Sequence, residues 1–239
     1  YLPQIKANLT RNKVYNVPIY ARPSNLITAR LGMFHRSLQG RQISGRIIEQ
    51  RLYPYNITRK QINAGQLRDK ARVLLWAQNR ADRFVLQVQG SGTAVLPNGK
   101  TFLLQYDGNN GAPYVAIGHW LIAKGYLDKA TLSMHKIHEW LLANPKLGHE
   151  LMNMNPSFVF FKRFPGTSPF GAQGVRLTDG YSLAVDNKLI PLGLPIWLNT
   201  TLPNKHPLQR LMIAQDTGGA IRGPIRGDVY FGSSKRAED

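Results

Sequence analysis

The sequence predicts a mainly β protein in which a segment of mixed α and β structure interrupts an all-β domain. Strand-like alternation fills both ends of the 239-residue chain, and a helical period replaces it in the middle. Glycine, proline and serine cluster at residues 166–174, which separates the middle from the end. We assign residues 1–38 and 163–239 to the all-β domain and residues 39–162 to the insertion.

The first 23 residues predict short strands that prolines interrupt. The apolar and aromatic residues that indicate them are Ile5, Val14, Tyr15, Val17, Ile19 and Tyr20. Polarity rises between Ser24 and Gln50, and glycines occur at 32, 40 and 45. This stretch is therefore expected to hold the first domain boundary.

The next elements are a short helix and a hairpin. Thr58 is placed to open the helix and Gly65 to close it. Residues 84–89 alternate in polarity and predict a strand that runs into Gly90. Residues 100–106 then form its predicted hairpin partner, across the turn at 97–99.

The period becomes helical after residue 113. Tyr114, Ile117 and Leu121 share a helical face that Gly125 ends, and residues 134–141 repeat the pattern. Asn144 and Pro145 suit the cap and first position of a third short helix. Strands are predicted at 158–161, 182–185, 195–198, 211–214 and 229–231.

Charge is the unusual bulk property of the chain. Lys and Arg number 31 against 13 Asp and Glu, a formal net charge of +18. Such a field favours an anionic polymer, and nucleic acid, anionic lipid and acidic cell wall all remain open. The absence of cysteine excludes disulfides, thiolate metal sites and a cysteine nucleophile. No apolar run reaches the roughly 18 residues that span a bilayer.

Two glycine-rich segments near the end hold the strongest site signal. Residues 215–223 contain Asp216 followed by Gly218 and Gly219, and residues 227–232 contain Asp228. In a chain poor in acid, this pattern indicates backbone shaped to present two carboxylates. The alternative is that either aspartate fixes a turn by accepting backbone N–H bonds, and for Asp186 we expect that structural role.

A second candidate site lies in the inserted segment. Gln89, Ser91 and Gly92 bring small side chains and backbone N–H groups to the end of a predicted strand, while Tyr106 and Asn109 add donors and acceptors suited to sugar hydroxyls. A plain turn and helix cap is the alternative. His135 and His138 lack a third ligand at zinc spacing, so we predict no metal and no other cofactor. No nucleophile elbow is present.

These motifs together resemble one known family. Residues 88–92, 106–111 and 155–161, then 184–193, 216–221 and 227–230, are similar to the membrane-bound lytic murein transglycosylase A family, with its three-aspartate domain. The resemblance implies a double-psi β-barrel built from both chain ends, an inserted β-rich domain that carries short helices, and a long groove between them.

The resemblance also implies an activity. It is that of a peptidoglycan lytic exotransglycosylase, which cleaves the β-1,4 bond from N-acetylmuramic acid to N-acetylglucosamine without water and leaves a 1,6-anhydro end. Asp228 matches the family's single acid/base, and Asp216 lies beside it. A hydrolase uses two carboxyls, but one suffices if the substrate's own C6 hydroxyl attacks. Such an acid needs a pKa above its usual range.

The family further implies partners and a location. We expect peptidoglycan glycan strands as substrate, a monomer, an assembly with cell-wall enzymes, and the periplasmic face of the outer membrane with a lipid anchor upstream. Two rival functions remain: a carbohydrate-binding barrel module without catalysis, and a nucleic-acid-binding protein. The second rests only on charge, since no recognised nucleic-acid motif occurs, so we predict no nucleic-acid partner.

Overall fold

The computed structural model describes residues 2–39, 41–164, 169–202, 204–219 and 221–232. It confirms a mainly β protein, with more strands than helices and more residues in strands than in helices. The larger of two compact units comprises Gln4–Arg30 and Gln42–Arg163. The smaller unit comprises the described residues within Tyr1–Pro3, Leu31–Arg41 and Phe164–Asp239.

A six-stranded sheet is the centre of the larger unit. Its strands lie in the order β2-β6-β1-β7-β8-β9. Only the β1–β7 pairing among the assigned neighbours is parallel. Apolar side chains such as Ile5, Leu75 and Leu104 are buried on it. The strands are β1 (Gln4–Asn8), β2 (Val17–Tyr20), β6 (Val73–Ala77), β7 (Ser91–Val95), β8 (Thr101–Asn109) and β9 (Val159–Phe164).

Five helices accompany this sheet, and their ends follow the sequence signals. Thr58 and Gln61 form a capping box at the start of the first helix. Asn79 caps the second through the Asp82 N–H, and Ser133 caps the fourth. The helices are α1 (Arg59–Asn63), α2 (Arg80–Gln89), α3 (Gly118–Ala123), α4 (Met134–Ala143) and α5 (Pro145–Met154). None of those in the described ranges is long and apolar enough to span a bilayer.

A three-stranded antiparallel sheet completes the larger unit. It consists of β3 (Leu26–Arg30), β4 (Gln42–Ile48) and β5 (Arg51–Pro54), in that order. Two short 3₁₀ turns, Leu31–Met33 and Arg36–Leu38, lie in the segment between β3 and β4 that belongs to the smaller unit. The stretch 24–50, in which we expected the first domain boundary, is organised largely by cross-strand pairing.

Two arginines lie in the core of the larger unit instead of on its surface. Arg59 is 2% exposed and Arg83 is 3% exposed. Arg59 donates to the carbonyls of Asn155 and Ser157 and lies against the ring of Phe158. Burial lowers the pKa of Arg59 to about 9 and that of Arg83 to about 10. Carbonyl acceptors and aromatic rings therefore offset the hydration that the two guanidinium groups lose on burial.

The smaller unit is built on a four-stranded sheet. Its strands are β10 (Ser182–Val185), β11 (Pro195–Thr201), β12 (Pro207–Thr217) and β13 (Gly227–Val229), in the order β11-β12-β10-β13. β10 pairs in parallel with β12 and antiparallel with β13. Its apolar face buries Leu183, Val185 and Met212. All four predicted strands of this region are present, and β10 has the predicted bounds.

The predicted strand at 84–89 is wrong. Those residues form the second half of α2, which ends at Gly90 in the left-handed conformation. The predicted hairpin exists, but Ser91–Val95 and not residues 84–89 supplies its first strand. Tyr114 precedes α3 and does not belong to it.

The two compact units differ from the two predicted domains at residues 4–30. We assigned them to the all-β domain, whereas β1 and β2 are strands of the larger unit's sheet. The predicted boundary at 166–174 falls partly outside the described residues, as does Gly40. The double-psi barrel stays a prediction.

Candidate functional site

The two predicted catalytic aspartates lie on adjacent strands of the smaller unit. Asp216 of β12 and Asp228 of β13 both pair with Ala184 of β10, one from each side. Residues in register share a face of a sheet, and strands are about 4.8 Å apart, so roughly 10 Å separates the two aspartate backbones. The small side chain of Ala184 lies between them. The fold therefore presents two carboxylates on one face, flanking a methyl group.

Asp216 is partly buried at the end of β12. Its Oδ1 accepts the backbone N–H of Ala172 at 2.9 Å, and the Thr217 N–H also stabilises the carboxylate. Burial raises the pKa of Asp216 despite these bonds, which act in the opposite direction. Asp216 thus keeps its proton to a higher pH than an aspartate in water does.

Asp228 has different surroundings. Its side chain is 50% exposed, and Arg226 Nε donates to its Oδ1 at 2.9 Å. The carboxylate in turn raises the pKa of Arg226. An exposed carboxylate is open to a substrate, but here the guanidinium of Arg226 occupies one of its oxygens. Arg226 must therefore move aside before Asp228 can deliver a proton. The sequence analysis did not single out Arg226, although it lies only two residues away.

The third aspartate, Asp186, fixes the turn that follows β10. It is 4% exposed, and it accepts the backbone N–H groups of Gly223 at 3.0 Å and Lys188 at 3.2 Å. The Gly223 bond is the largest cause of its lowered pKa, and Arg222 adds to the effect. These contacts fix the turn, which is the structural role that we expected for Asp186.

The glycines after Asp216 differ in what they require. A Cβ on Gly218 would lie 2.8 Å from Ile221 Cδ1, and Ile221 is buried, so a side chain at Gly218 displaces that packing. A Cβ on Gly219 would meet nothing within 4 Å among the described atoms. Gly218 is therefore needed for local packing, and Gly219 leaves exposed backbone beside the aspartates. Ala220 of this motif lies outside the described residues.

Gln89, Ser91 and Gly92 lie where α2 passes into β7 in the larger unit. Gln89 is the last residue of the helix, and Ser91 and Gly92 pair with Gln105 and Leu104 of β8. Gly90, at φ +76°, makes the sharp change of direction between them. Gln89 and Ser91 are half-buried, whereas Gly92 is buried within the sheet. The Gly90 carbonyl accepts the Tyr106 N–H at 2.7 Å, which ties this corner to β8.

Tyr106 and Asn109 contact each other, and Gln42 joins them. Asn109 Nδ2 donates to the Tyr106 hydroxyl at 3.1 Å, and Gln42 Nε2 reaches the same oxygen at 3.5 Å. Burial raises the pKa of Tyr106. Asp107 lies between Arg22 and Lys162, at 3.7 and 3.9 Å. The result is a polar cluster on the end of β8 that contains two predicted residues. Gln42, Arg22 and Lys162 carried no sequence signal, because they are distant in the chain.

The histidines weighed as metal ligands have other partners. His138 bonds to Asp82 at 2.7 Å, and His135 lies 3.2 Å from Glu139. Within the described ranges, no group of three or more His, Cys, Asp or Glu side chains is arranged to hold a metal ion.

Two family models match successive parts of this chain. Residues 1–162 match the MltA specific insert domain, and residues 181–239 match the 3D domain. The chain therefore belongs to the lytic murein transglycosylase A family. It is 36% identical to membrane-bound lytic murein transglycosylase A of Vibrio cholerae over 75% of its length, and 33% identical to that of Escherichia coli K12 over 99%. It covers 51% and 59% of those proteins, so it spans only half to three fifths of these relatives.

Solved structures of the family have the same fold. The membrane-bound lytic murein transglycosylase of Agrobacterium tumefaciens aligns with a TM-score of 0.86 at 32% identity, over 99% of this chain and 67% of that one. MltA of Neisseria gonorrhoeae aligns at 0.80 and 33%, over 99% and 66%. E. coli MltA with bound chitohexaose aligns at 0.75 and 32%, over 96% and 62%.

Proposed function

We propose that this chain is the catalytic and substrate-binding part of a lytic transglycosylase that cleaves the β-1,4 bond from N-acetylmuramic acid to N-acetylglucosamine and leaves a 1,6-anhydro-muramyl end. The observation that carries the proposal is the pair Asp216 and Asp228 on one sheet face, flanking Ala184. Family membership supports it, since the curated relatives are named lytic murein transglycosylases.

In the proposed mechanism Asp228 serves as both acid and base. Its carboxylic acid protonates the glycosidic oxygen while the bond from that oxygen to the anomeric carbon breaks. The resulting carboxylate then takes the proton of the C6 hydroxyl while O6 bonds to the anomeric carbon. Both protons are accounted for and the acid is regenerated without water. The exposure of Asp228 supports this role, and Asp216 supplies a second, more buried carboxyl nearby.

The sugar chain is proposed to bind through the larger unit's polar residues. Ser91 and Gln89 offer side-chain hydrogen bonds at the start of β7, while Tyr106 and Asn109 offer a hydroxyl and an amide at the end of β8. Gly92, Gly218 and Gly219 contribute backbone without side-chain bulk. The chitohexaose complex of E. coli MltA supports a β-1,4-linked sugar as ligand here. Glycan strands of peptidoglycan are the proposed substrate.

Replacement of Asp228 tests this function most simply. Asp228→Asn keeps the shape of the side chain but removes its proton, so we expect murein cleavage to fall by at least ~10²- to 10⁴-fold, the usual contribution of a positioned acid/base. Asp128→Asn is the matched control, because its exposed carboxylate bonds only the nearby Ala130 N–H among described contacts, and asparagine can accept the same bond. Soluble muropeptide release measures both. Near-normal turnover of Asp228→Asn rules out the proposed mechanism.

The ion pair between Arg226 and Asp228 favours one competing function, a peptidoglycan-binding module without catalysis. If Arg226 never leaves Asp228, the site holds a glycan but lacks an acid. The wild-type protein then binds chito-oligosaccharides and releases no muropeptides, whereas the enzyme does both. Binding of DNA or RNA at physiological salt without murein cleavage contradicts both functions.

Location, assembly and barrel topology belong to the same proposal. The relatives are named membrane-bound, which is consistent with membrane association. We propose the periplasmic face of the outer membrane, a lipid anchor upstream, a monomer, and an assembly with cell-wall enzymes. We also propose a double-psi barrel from both chain ends, which the grouping of residues 2 and 3 with the C-terminal part supports.

A further inference from the structure

The outward face of the β11–β12 hairpin in the smaller unit carries an exposed indole. Trp197 is 66% exposed, and Leu211, its partner in register, is 54% exposed. Ile196, Leu198 and Met212 pack into the core, so Trp197 and Leu211 lie on the opposite face of the sheet. Exposed apolar residues scattered singly need no explanation, whereas adjoining ones mark a surface that binds something.

Two amide side chains extend this face along the hairpin. Asn199 pairs in register with Gln209, two residues from the Trp197 pair, and both side chains are exposed. Gln209 Nε2 donates to Asn199 Oδ1 at 3.1 Å. Asn199 Nδ2 and Gln209 Oε1 have no hydrogen-bond partner among the described residues. The pair therefore offers a donor and an acceptor side by side, which suits sugar hydroxyls because each hydroxyl both donates and accepts.

The sheet register places Trp197 on the same face as the two aspartates. Ile213 lies two residues beyond the partner of Trp197 on β12, and it is in register with Ser182 of β10. Ser182 and Ala184 are two residues apart on one strand and therefore share a face, and Asp216 pairs with Ala184. From residue 211, which faces Trp197, to residue 216 is roughly 15 Å along β12. An oligosaccharide of several rings spans that distance.

The charge of this face selects the class of ligand. Both strands present only uncharged residues on it, although the chain as a whole carries +18. They are Pro195, Trp197, Asn199 and Thr201 of β11, and Pro207, Gln209, Leu211 and Ile213 of β12. Nucleic acid, anionic lipid and carboxylates are bound through cations, which this face does not offer. A pyranose ring is neutral, with C–H groups that pack on an aromatic ring and hydroxyls that bond to amides.

We propose that Trp197, Asn199 and Gln209 form a sugar subsite remote from the point of cleavage. The indole stacks on one ring of the glycan, and the two amides bond to its hydroxyl or N-acetyl groups. The identity of the ligand rests on the proposed function: it is an N-acetylhexosamine of the glycan strand whose cleaved bond lies at Asp228. Because the subsite holds substrate and transition state equally, it should lower KM for long glycans and leave kcat unchanged.

The test is NMR of the Trp197 indole in the whole protein, titrated with chitohexaose. The Nε1–H resonance of Trp197, identified by its absence from the spectrum of Trp197→Phe, should shift saturably. Trp197→Ala should weaken chitohexaose binding about tenfold, and Trp197→Phe should weaken it less because a ring remains. Phe34→Ala is the matched control, since Phe34 is a 77% exposed aromatic residue outside this sheet, and it should leave the affinity unchanged.

Murein cleavage supplies a second measurement. KM for long glycan strands should rise in Trp197→Ala and in the double variant Asn199→Ala/Gln209→Ala, while kcat stays unchanged. The melting temperature should also stay unchanged, because all three side chains are exposed. A clear fall in the melting temperature of Trp197→Ala contradicts the inference, since it shows that the indole packs against protein.

Two further results overturn the inference. These are the absence of a saturable Trp197 shift with chitohexaose, and equal affinity for chitohexaose in Trp197→Ala and the wild type. Because the titration needs no turnover, its failure is distinct from failure of the proposed function. A protein that cleaves murein but shows no Trp197 shift contradicts only this inference, and one that shows the shift but cleaves nothing contradicts only the activity.

Discussion

At the scale of single residues, Asp216 and Asp228 show how position in a sheet gives the same type of side chain two different environments. Asp216 follows nine residues of β12 and accepts backbone N–H groups in a partly buried place. Asp228 lies in a strand of three residues, half-exposed and paired with Arg226. Their shared neighbour, Ala184, is too small to bury either carboxylate. The exposed aspartate is therefore the one that a substrate can reach.

Replacement of Arg226 tests how the ion pair controls Asp228. Arg226→Gln removes the guanidinium that bonds Asp228 Oδ1 at 2.9 Å. If this pair has to open before Asp228 acts, kcat/KM for murein cleavage should rise in the variant. Arg51→Gln removes an equal charge from an exposed position on β5 and should leave kcat/KM unchanged. A kcat/KM of Arg226→Gln equal to that of the wild type shows that the ion pair does not control the acid.

Sequence reasoning at this scale found the residues but not their partners. Asp216 and Asp228 are visible because glycines surround them in a chain poor in acid. Gln42 reaches the Tyr106 hydroxyl from 64 positions away, and no local pattern marks such a contact. Long-range side-chain contacts of this kind depend on tertiary packing, which a single sequence does not encode in any short window.

At the scale of elements, the turn after β10 depends on ionised Asp186. The pKa of Asp186 is lowered in the fold, so its contribution to stability is present above the unfolded value of about 3.9 and is lost as pH falls through the folded value. Asp186→Asn should lower the melting temperature at about pH 7 and have a progressively smaller effect in acid. Calorimetry from pH 7 to below about pH 4 checks this. An effect that does not depend on pH shows that the charge is not what stabilises the turn.

α2 shows why a strong local pattern misled the prediction. Phe84, Leu86 and Val88 alternate with Val85, Gln87 and Gln89, which suggests a strand. Ala81, Phe84 and Val85 are buried at helical spacing, however, and the polar Arg83 and Gln87 are buried as well. Gln87 is satisfied by the Val159 carbonyl and by Arg59. Asn79 and Gly90, which cap this helix at its two ends, are signals that the prediction did not use.

At the scale of the whole molecule, the net charge of +18 is expected to act on encounter with substrate and not on chemistry. Peptidoglycan stem peptides carry carboxylates, so kcat/KM on murein should fall with added salt as the Debye length shortens to about 8 Å and below. The anhydro product should stay the same. Binding of a neutral chito-oligosaccharide is the control and should not depend on salt. Equal salt dependence for both ligands contradicts a long-range electrostatic role.

The division of the chain was predictable in part. The change from strand to helix periodicity and back predicts a mixed segment over residues 39–162, and the larger unit contains Gln42–Arg163 of the chain. Local patterns do not predict that residues 4–30 belong to the larger unit. Their strands β1 and β2 pair with β6 and β7, which lie more than 50 residues further along the chain. A strand pattern indicates that a strand forms, but the choice of its sheet is a non-local property.

The fate of solvent oxygen during murein cleavage tests the central claim most directly. The claim is that the C6 hydroxyl, activated by Asp228, replaces water as the nucleophile. Digestion in ¹⁸O-labelled water, followed by mass spectrometry of the muropeptides, should give unlabelled anhydro-muramyl ends, each lighter by one water than a hydrolysis product. Reducing ends that carry the label contradict the account, because they require a water molecule to have attacked the anomeric carbon.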